Sequence, residues 1–261
     1  KISPYVKIIL RMGVYQIKYM DKIPVSAAVN ESVKLAKRYG GARSGGFVNA
    51  VLKKIANSEI EYPKDKAEFL SVKYSYPIEL CEKYISDFGF DFAKDIMGKS
   101  LERPKIYIRV NTLKISVDDF LKILDGEGIK YEKSALCPDA VRVSNLGLLL
   151  KSKHFSDGLF YVQDLSSMLA CRILAPKKGA SVLDICAAPG GKSTYIAQLM
   201  QNSGEIYSSD IYEHKIKLIS ENAKRLGIDI IKPCINDATA ENEGYFDKFD
   251  FVLADLPCSG L

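Results

Sequence analysis

The chain has no tryptophan and only two histidines among its 261 residues. Its six cysteines, Cys81, Cys137, Cys171, Cys186, Cys234 and Cys258, are scattered, and no two form a C-x-x-C pair. Neither a zinc site nor a disulfide framework is therefore expected, and a reducing, cytoplasmic setting is. No stretch approaches the roughly 18 apolar residues of a membrane span, and no signal peptide opens the chain, so no membrane partner is expected. Two phosphate-binding signatures are missing too. A Walker A loop ending at Gly191 would need a glycine where Cys186 stands, and G-x-G-x-x-G does not fit Cys186 to Gly191. The chain opens on Lys1 rather than Met and stops just after Pro-Cys-Ser-Gly, which gives both ends the look of cuts.

What is present divides by charge. Residues 1–60 carry eleven Lys/Arg against three Asp/Glu, whereas the remainder is slightly acidic. Apolar residues recur at helical spacing over 5–20 (Val6, Ile9, Leu10, Val14, Ile17), over 24–39 and over 47–55. Gly40-Gly41 closes the second of these helices, and residues 42–46 read as a loop. A basic helical module suits a polyanion, and Lys37, Arg38 and Arg43 are candidate phosphate contacts. A merely solvated, Lys-rich surface is the alternative.

Glu61 to Lys66 reads as a polar linker interrupted by Pro63. Helical stretches over 67–72, 77–88 and 92–97 precede an alternating strand, Ile106 to Leu113. A short helix at 118–124 and strands at 141–143 and 158–162 complete a small α+β subdomain. Arg109 and Asn111 on the first strand are polar side chains suited to bracing an interface. Asp164, at a strand-to-helix junction, reads as a helix cap.

From Ser181 the pattern becomes alternating strand and helix, the order of a Rossmann-like α/β sheet. The first unit, S-V-L-D-I-C-A-A-P-G-G-K-S, runs strand, tight turn, then a helix from Tyr195. Pro189 fixes φ, and Gly190 and Gly191 lack a Cβ, so a ligand can lie against the backbone. Three later strands finish on Asp210, Asp237 and Asp255, acids that an open parallel sheet brings to one crevice. Capping of the next turn is the plainer use of each.

The phrase D-I-C-A-A-P-G-G-K-S, with D-L-P-C-S-G at 255–260, R-V-N-T-L-K at 109–114 and Y-V-Q-D-L-S-S at 161–167, resembles the RNA cytosine-5 methyltransferases. A-A-V-N-E-S-V-K-L-A-K and G-F-V-N-A-V-L-K-K-I resemble the NusB-domain branch of that family. The resemblance implies three parts: the carboxyl half of a NusB-like helical RNA-binding domain (1–62), an α+β substrate-side subdomain (63–155), and the first part of a Rossmann-like methyltransferase domain (156–261). It implies S-adenosyl-L-methionine as cofactor, held by Cys186, Ala187, Ala188, Pro189, Gly190, Gly191, Lys192, Asp210, Asp237 and Asp255. It also implies small-subunit (16S) ribosomal RNA as partner, a monomer, no metal, Asp255 and Cys258 as catalytic residues, and a substrate-side place for Arg109 and Asn111, which either contact RNA or only brace the subdomain interface. A tRNA or other RNA as substrate, or a catalytically vestigial RNA-binding assembly role, is the alternative. In this family the attacking thiol comes from a later strand, past Leu261, and the Pro-Cys thiol assists proton removal or product release. Residues 1–261 alone are therefore expected to bind cofactor weakly at best and not to methylate.

Overall fold

A computed structural model describes residues 2–258, so Ser259 and Gly260 of the last motif lie outside the described residues. The chain divides into two compact units, Lys1–Glu102 and Arg103–Leu261. Among the described residues no helix is long and apolar enough to cross a membrane.

The first unit is all helical: α1 (Pro4–Tyr19), α2 (Val25–Gly40), α3 (Ser44–Ala56), α4 (Lys66–Tyr74), α5 (Ile78–Phe88) and α6 (Phe90–Ser100). Ser3 starts α1 by accepting from the Val6 N–H, with Pro4 at the first helical position, and Asp65 caps α4 through Ala67 and Glu68. Two separate cores result. Val6, Ile9, Val29, Ala36, Val48 and Leu52 unite α1–α3, while Leu70, Cys81, Ala93 and Met97 unite α4–α6. α3 begins three residues before the expected start and takes Gly45 and Gly46 into its first turn. The reason is packing: a Cβ at Gly45 would stand 2.8 Å from Lys37 Cγ, so glycine lets α3 lie against α2. The sequence places a boundary at 62/63, which lies within this unit, between the residues of its two cores. The contact-based division instead falls at 102/103.

The second unit opens with an antiparallel sheet interleaved with helices. Its elements are β1 (Tyr107–Val110), α7 (Val117–Gly126), β2 (Tyr131–Lys133), β3 (Ala140–Val143), α8 (Leu146–Lys151), α9 (Lys153–Ser156) and β4 (Phe160–Val162), with strand order β2-β3-β1-β4. Ile108, Val110, Phe120, Leu124, Val141 and Phe160 form its core. The three-residue β2 and the short α8 and α9 are too brief for periodicity to reveal.

The parallel sheet follows without a break in the unit: α10 (Leu165–Leu174), β5 (Ser181–Ile185), α11 (Gly191–Leu199), β6 (Glu205–Asp210), α12 (Glu213–Leu226), β7 (Ile231–Ile235) and, after a 3-10 turn at Glu243–Tyr245, β8 (Phe251–Ala254). Strand order is β7-β6-β5-β8 and all pairs are parallel, with Ile185 opposite Ser209 and Ala254. The Rossmann-like expectation therefore holds, and every strand delivers its carboxyl end to the same edge. Val182, Ile196, Ile206, Ile219 and Leu226 fill the space between sheet and helices.

Candidate functional site: the loop between β5 and α11

Leaving β5, the backbone turns at Cys186 (φ +60), takes Ala188-Pro189 in cis, and passes Gly190 at φ +96 into α11. The helix starts at Gly191, four residues earlier than the apolar pattern suggests, because Ser193 and Thr194 are bonded inward. Ser193 Oγ donates to the Asp184 carboxylate, and Thr194 Oγ1 donates 3.1 Å to the Gly191 carbonyl. Neighbours hold the turn from both sides. Ile219 of α12 lies 3.3 Å from where a Gly190 Cβ would be, and Asn222 Nδ2 donates 3.0 Å to the Pro189 carbonyl. On the other side, a Cβ at Gly191 would stand 3.1 Å from Tyr161 Cε1.

Beside this loop is a cavity of about 220 Å³, lined by Cys186–Pro189, Gly191 and Lys192 together with Gln163, Asp164, Asp184 and Asp255. Lys192 Nζ forms an ion pair with the Asp255 carboxylate, just past the end of β8. Asp184, inside β5, is 1% exposed, and burial pushes its carboxyl up to about 6 against the opposing pull of Ser193 and Lys192. Burial likewise raises the Cys186 thiol, which fits a small packed residue rather than a nucleophile. Asp164 caps α10 by accepting from Ser166 Oγ and, at 2.8 Å, from the Ser166 N–H, and the hydroxyl first and the backbone second lower its pKa.

The three strand-end acids part company. Asp255 borders the cavity, whereas Asp210 and Asp237 are not among its lining residues. Asp210 is buried and accepts an ion pair at 3.3 Å from Lys215. β7 ends at Ile235, two residues short of the expected acid. Asp237 lies exposed in the following loop, accepting from the Thr239 N–H and Oγ1, which lowers its pKa. Cys258 is exposed and outside the cavity lining.

Arg109 and Asn111 require correction as RNA contacts. Both are 1% exposed. Asn111 Nδ2 donates 2.9 Å to each of the Gly158 and Leu226 carbonyls, joining the loop before β4 to the end of α12. Arg109 donates to Gln163 Oε1, the Gly191 carbonyl and Thr194 Oγ1. They brace the antiparallel sheet against the glycine loop, and no surface remains on them for a nucleic acid. Lys37 and Arg38 in the last turn of α2 and Arg43 before α3 are all exposed. That position also suits cations near a helix carboxyl terminus.

Gln163 and Asp184 are cavity residues that sequence reasoning passed over as cavity walls. Asp184 carried a signal, an acid inside an otherwise apolar strand. Gln163 carried only its place before a helix cap.

Three family models match in succession: NusB family over residues 1–57, Methyltr_RsmF/B-like ferredoxin-like domain over 76–147, and 16S rRNA methyltransferase RsmB/F over 171–261. The chain is 40% identical over 265 residues to a probable ribosomal RNA small subunit methyltransferase B of Bacillus subtilis, covering 100% of this chain and 59% of that protein. It is 31% identical over 256 residues to ribosomal RNA small subunit methyltransferase B of Escherichia coli O127:H6, covering 96% of this chain and 58% of that one. The chain thus spans less than two thirds of the length of these curated relatives. Among solved structures, that of PH0851 aligns with a TM-score of 0.73 at 30% identity, covering 98% of this chain and 58% of the other. A methyltransferase homolog protein from Pyrococcus horikoshii aligns at 0.65 and 29%, covering 76% and 65%. By the three matched segments and their order, the chain belongs to the RsmB/F family of 16S rRNA methyltransferases.

Proposed function

We propose that this chain takes part in S-adenosyl-L-methionine-dependent methyl transfer to carbon 5 of a cytosine in small-subunit (16S) ribosomal RNA. The observation that carries this reading is a single cavity uniting the Cys186–Lys192 loop with Asp184 and Asp255, three residues before Cys258. The residues suit the cofactor. The glycines make room for packing, since Ile219 and Tyr161 fill the space a Cβ would take at Gly190 and Gly191, while the cavity wall offers Gln163 Nε2 and Asp184 Oδ1, buried without a hydrogen-bond partner. When bound, S-adenosylmethionine supplies an electrophilic methyl group on a sulfonium. In this reading Asp210 accepts from the ribose hydroxyls and Asp237 from the adenine amine, while the loop backbone bears on the rest.

Carbon 5 of cytosine is a poor nucleophile. A thiolate that adds to C6 makes C5 enamine-like, and after methyl transfer the C5 proton leaves and the thiol is expelled. Asp255, paired with Lys192 until the base enters, donates as the carboxylic acid to N3 of the base and stabilises charge developing on the ring. Cys258 assists proton removal or product release, and the attacking cysteine belongs to the continuation past Leu261. The front helices contribute Lys37, Arg38 and Arg43 to phosphate contact. Cofactor binding is tested by calorimetry on residues 1–261, with NAD and ATP as controls. Methyl transfer is tested on the chain continued past Leu261, reading 5-methylcytosine in 16S rRNA by nucleoside mass spectrometry. Selective binding followed by 5-methylcytosine formation is expected. Absence of cofactor binding to either length would refute the reading.

A further inference from the structure

Arg109 is the largest fully buried side chain of the protein, and burial pushes its guanidinium down to about 10. Among the described residues it makes no ion pair. It lies between the rings of Tyr195 and Tyr161, 4.8 and 5.4 Å from their centroids. A buried cation without a carboxylate is a poor way to stabilise a core, since an apolar residue would fill the space without the desolvation cost. Its three hydrogen-bond partners suggest another use. Gly191 and Thr194 open α11 directly after the glycine loop, and Gln163 forms part of the cavity wall.

A guanidinium has donors only, so it accepts just one orientation of a carboxamide beside it. Gln163 must turn Oε1 to Arg109, and Nε2 is left as the free end of the amide, 7% of the residue being exposed and that nitrogen having no partner. Asp184, on the same cavity, has the opposite deficiency: Oδ2 is bonded to Ser193 Oγ, and Oδ1 has no partner. A buried donor and a buried acceptor left open in one wall are costly until a ligand completes both. The donor, beside the amino-terminal end of α11, suits an anionic oxygen. The acceptor suits an ammonium. An α-amino-acid head group presents the two together.

We propose that Arg109 is a positioning residue that locks the Gln163 amide as a donor, and that Gln163 so held recognises the carboxylate of the ligand's amino-acid end. By holding the Gly191 carbonyl with the same guanidinium, Arg109 keeps that donor in register with the glycine loop. This rests on the cofactor reading above and assigns the part of the cofactor that the cavity selects.

Two probes separate the inference from that reading. S-adenosylhomocysteine carries the amino-acid end, and 5′-methylthioadenosine is the same nucleoside thioether without it. Calorimetry on residues 1–261 compares their dissociation constants for wild type, Gln163→Glu, Gln163→Met and Arg109→Lys. Gln163→Glu keeps an acceptor for Arg109 but puts an acceptor in place of the donor. It should weaken S-adenosylhomocysteine about ten- to a hundredfold, the loss of one hydrogen bond to a charged group, and methylthioadenosine less than twofold. Gln163→Met, which needs no charge, should show the same selectivity. Arg109→Lys, too short to serve three partners, should also lose S-adenosylhomocysteine selectively, whereas a general loosening of the fold weakens both probes alike. Equal loss of both probes, or undiminished S-adenosylhomocysteine binding in Gln163→Glu and Gln163→Met, overturns the inference and leaves the cofactor reading standing. Failure of wild type to bind either S-adenosylhomocysteine or S-adenosylmethionine, both as residues 1–261 and continued past Leu261, overturns both.

Discussion

Replacing Asp184 by Asn should stabilise the unliganded fold at pH 7.5 and weaken cofactor binding. The Asp184 carboxyl is pushed up to about 6 by burial, above its ordinary 3.8. Between those values the folded protein holds a proton that the unfolded chain has released. Stability therefore falls as pH rises through that window, and the deficit is complete above pH 6. At about 1.4 kcal/mol per pH unit the gap corresponds to about 3 kcal/mol, an upper figure for a residue that asparagine replaces with the same shape and no charge. Asparagine can still accept from Ser193 Oγ through its carbonyl, so the turn into α11 keeps its bond. Urea denaturation followed by circular dichroism, with hydrogen exchange over 181–185 to report on β5 itself, gives the difference between variant and wild type at pH 7.5 and pH 4. The variant should be more stable by about 1–3 kcal/mol at pH 7.5 and level with wild type at pH 4. A variant no more stable at pH 7.5, or one with the same advantage at both pH values, would show that the buried charge is not what destabilises β5. A group kept ionised at a stability cost is the pattern of a binding residue, so the same variant should bind S-adenosylmethionine at least tenfold more weakly.

Other substitutions test the rest of the frame. Gly158 has φ +69, and a Cβ there would stand 2.0 Å from the Arg225 carbonyl oxygen. Gly158→Ala should lower stability by about 2 kcal/mol or more, read as a drop in the urea midpoint, and an unchanged midpoint would refute the close approach. Asn111→Ala leaves two buried carbonyls without their donor and should cost about 1–3 kcal/mol without changing the RNA affinity of the folded protein, measured by filter binding. Asp255→Asn breaks an ion pair whose carboxylate is 59% exposed, so stability should move by less than about 1 kcal/mol. Methyl transfer by the chain continued past Leu261 should fall at least a hundredfold. Charge reversal at Lys37, Arg38 and Arg43 together should flatten the dependence of RNA affinity on salt; an unaltered slope would remove these residues from the interface.

The letters alone determined the elements whose physics is local. A strand of apolar residues broken by Pro189-Gly190-Gly191 has few ways to continue, and the alternation after it admits only a parallel sheet with its strand ends on one edge. The capping of α10 by Asp164 was legible for the same reason, since a cap bonds within its own turn. What only the tertiary structure decided was the destination of polar side chains whose partners are far away in sequence. Arg109 and Asn111 look like surface contacts in a strand motif, yet their acceptors are 82 and 115 residues onward, and burial turned them into braces. Asp210, Asp237 and Asp255 share a pattern, but the lengths of β6, β7 and β8 and the reach of Lys192 and Lys215 gave each a different neighbour. Gln163 is the clearest case: the sequence supplies an amide, and only the guanidinium folded against it sets which end is free.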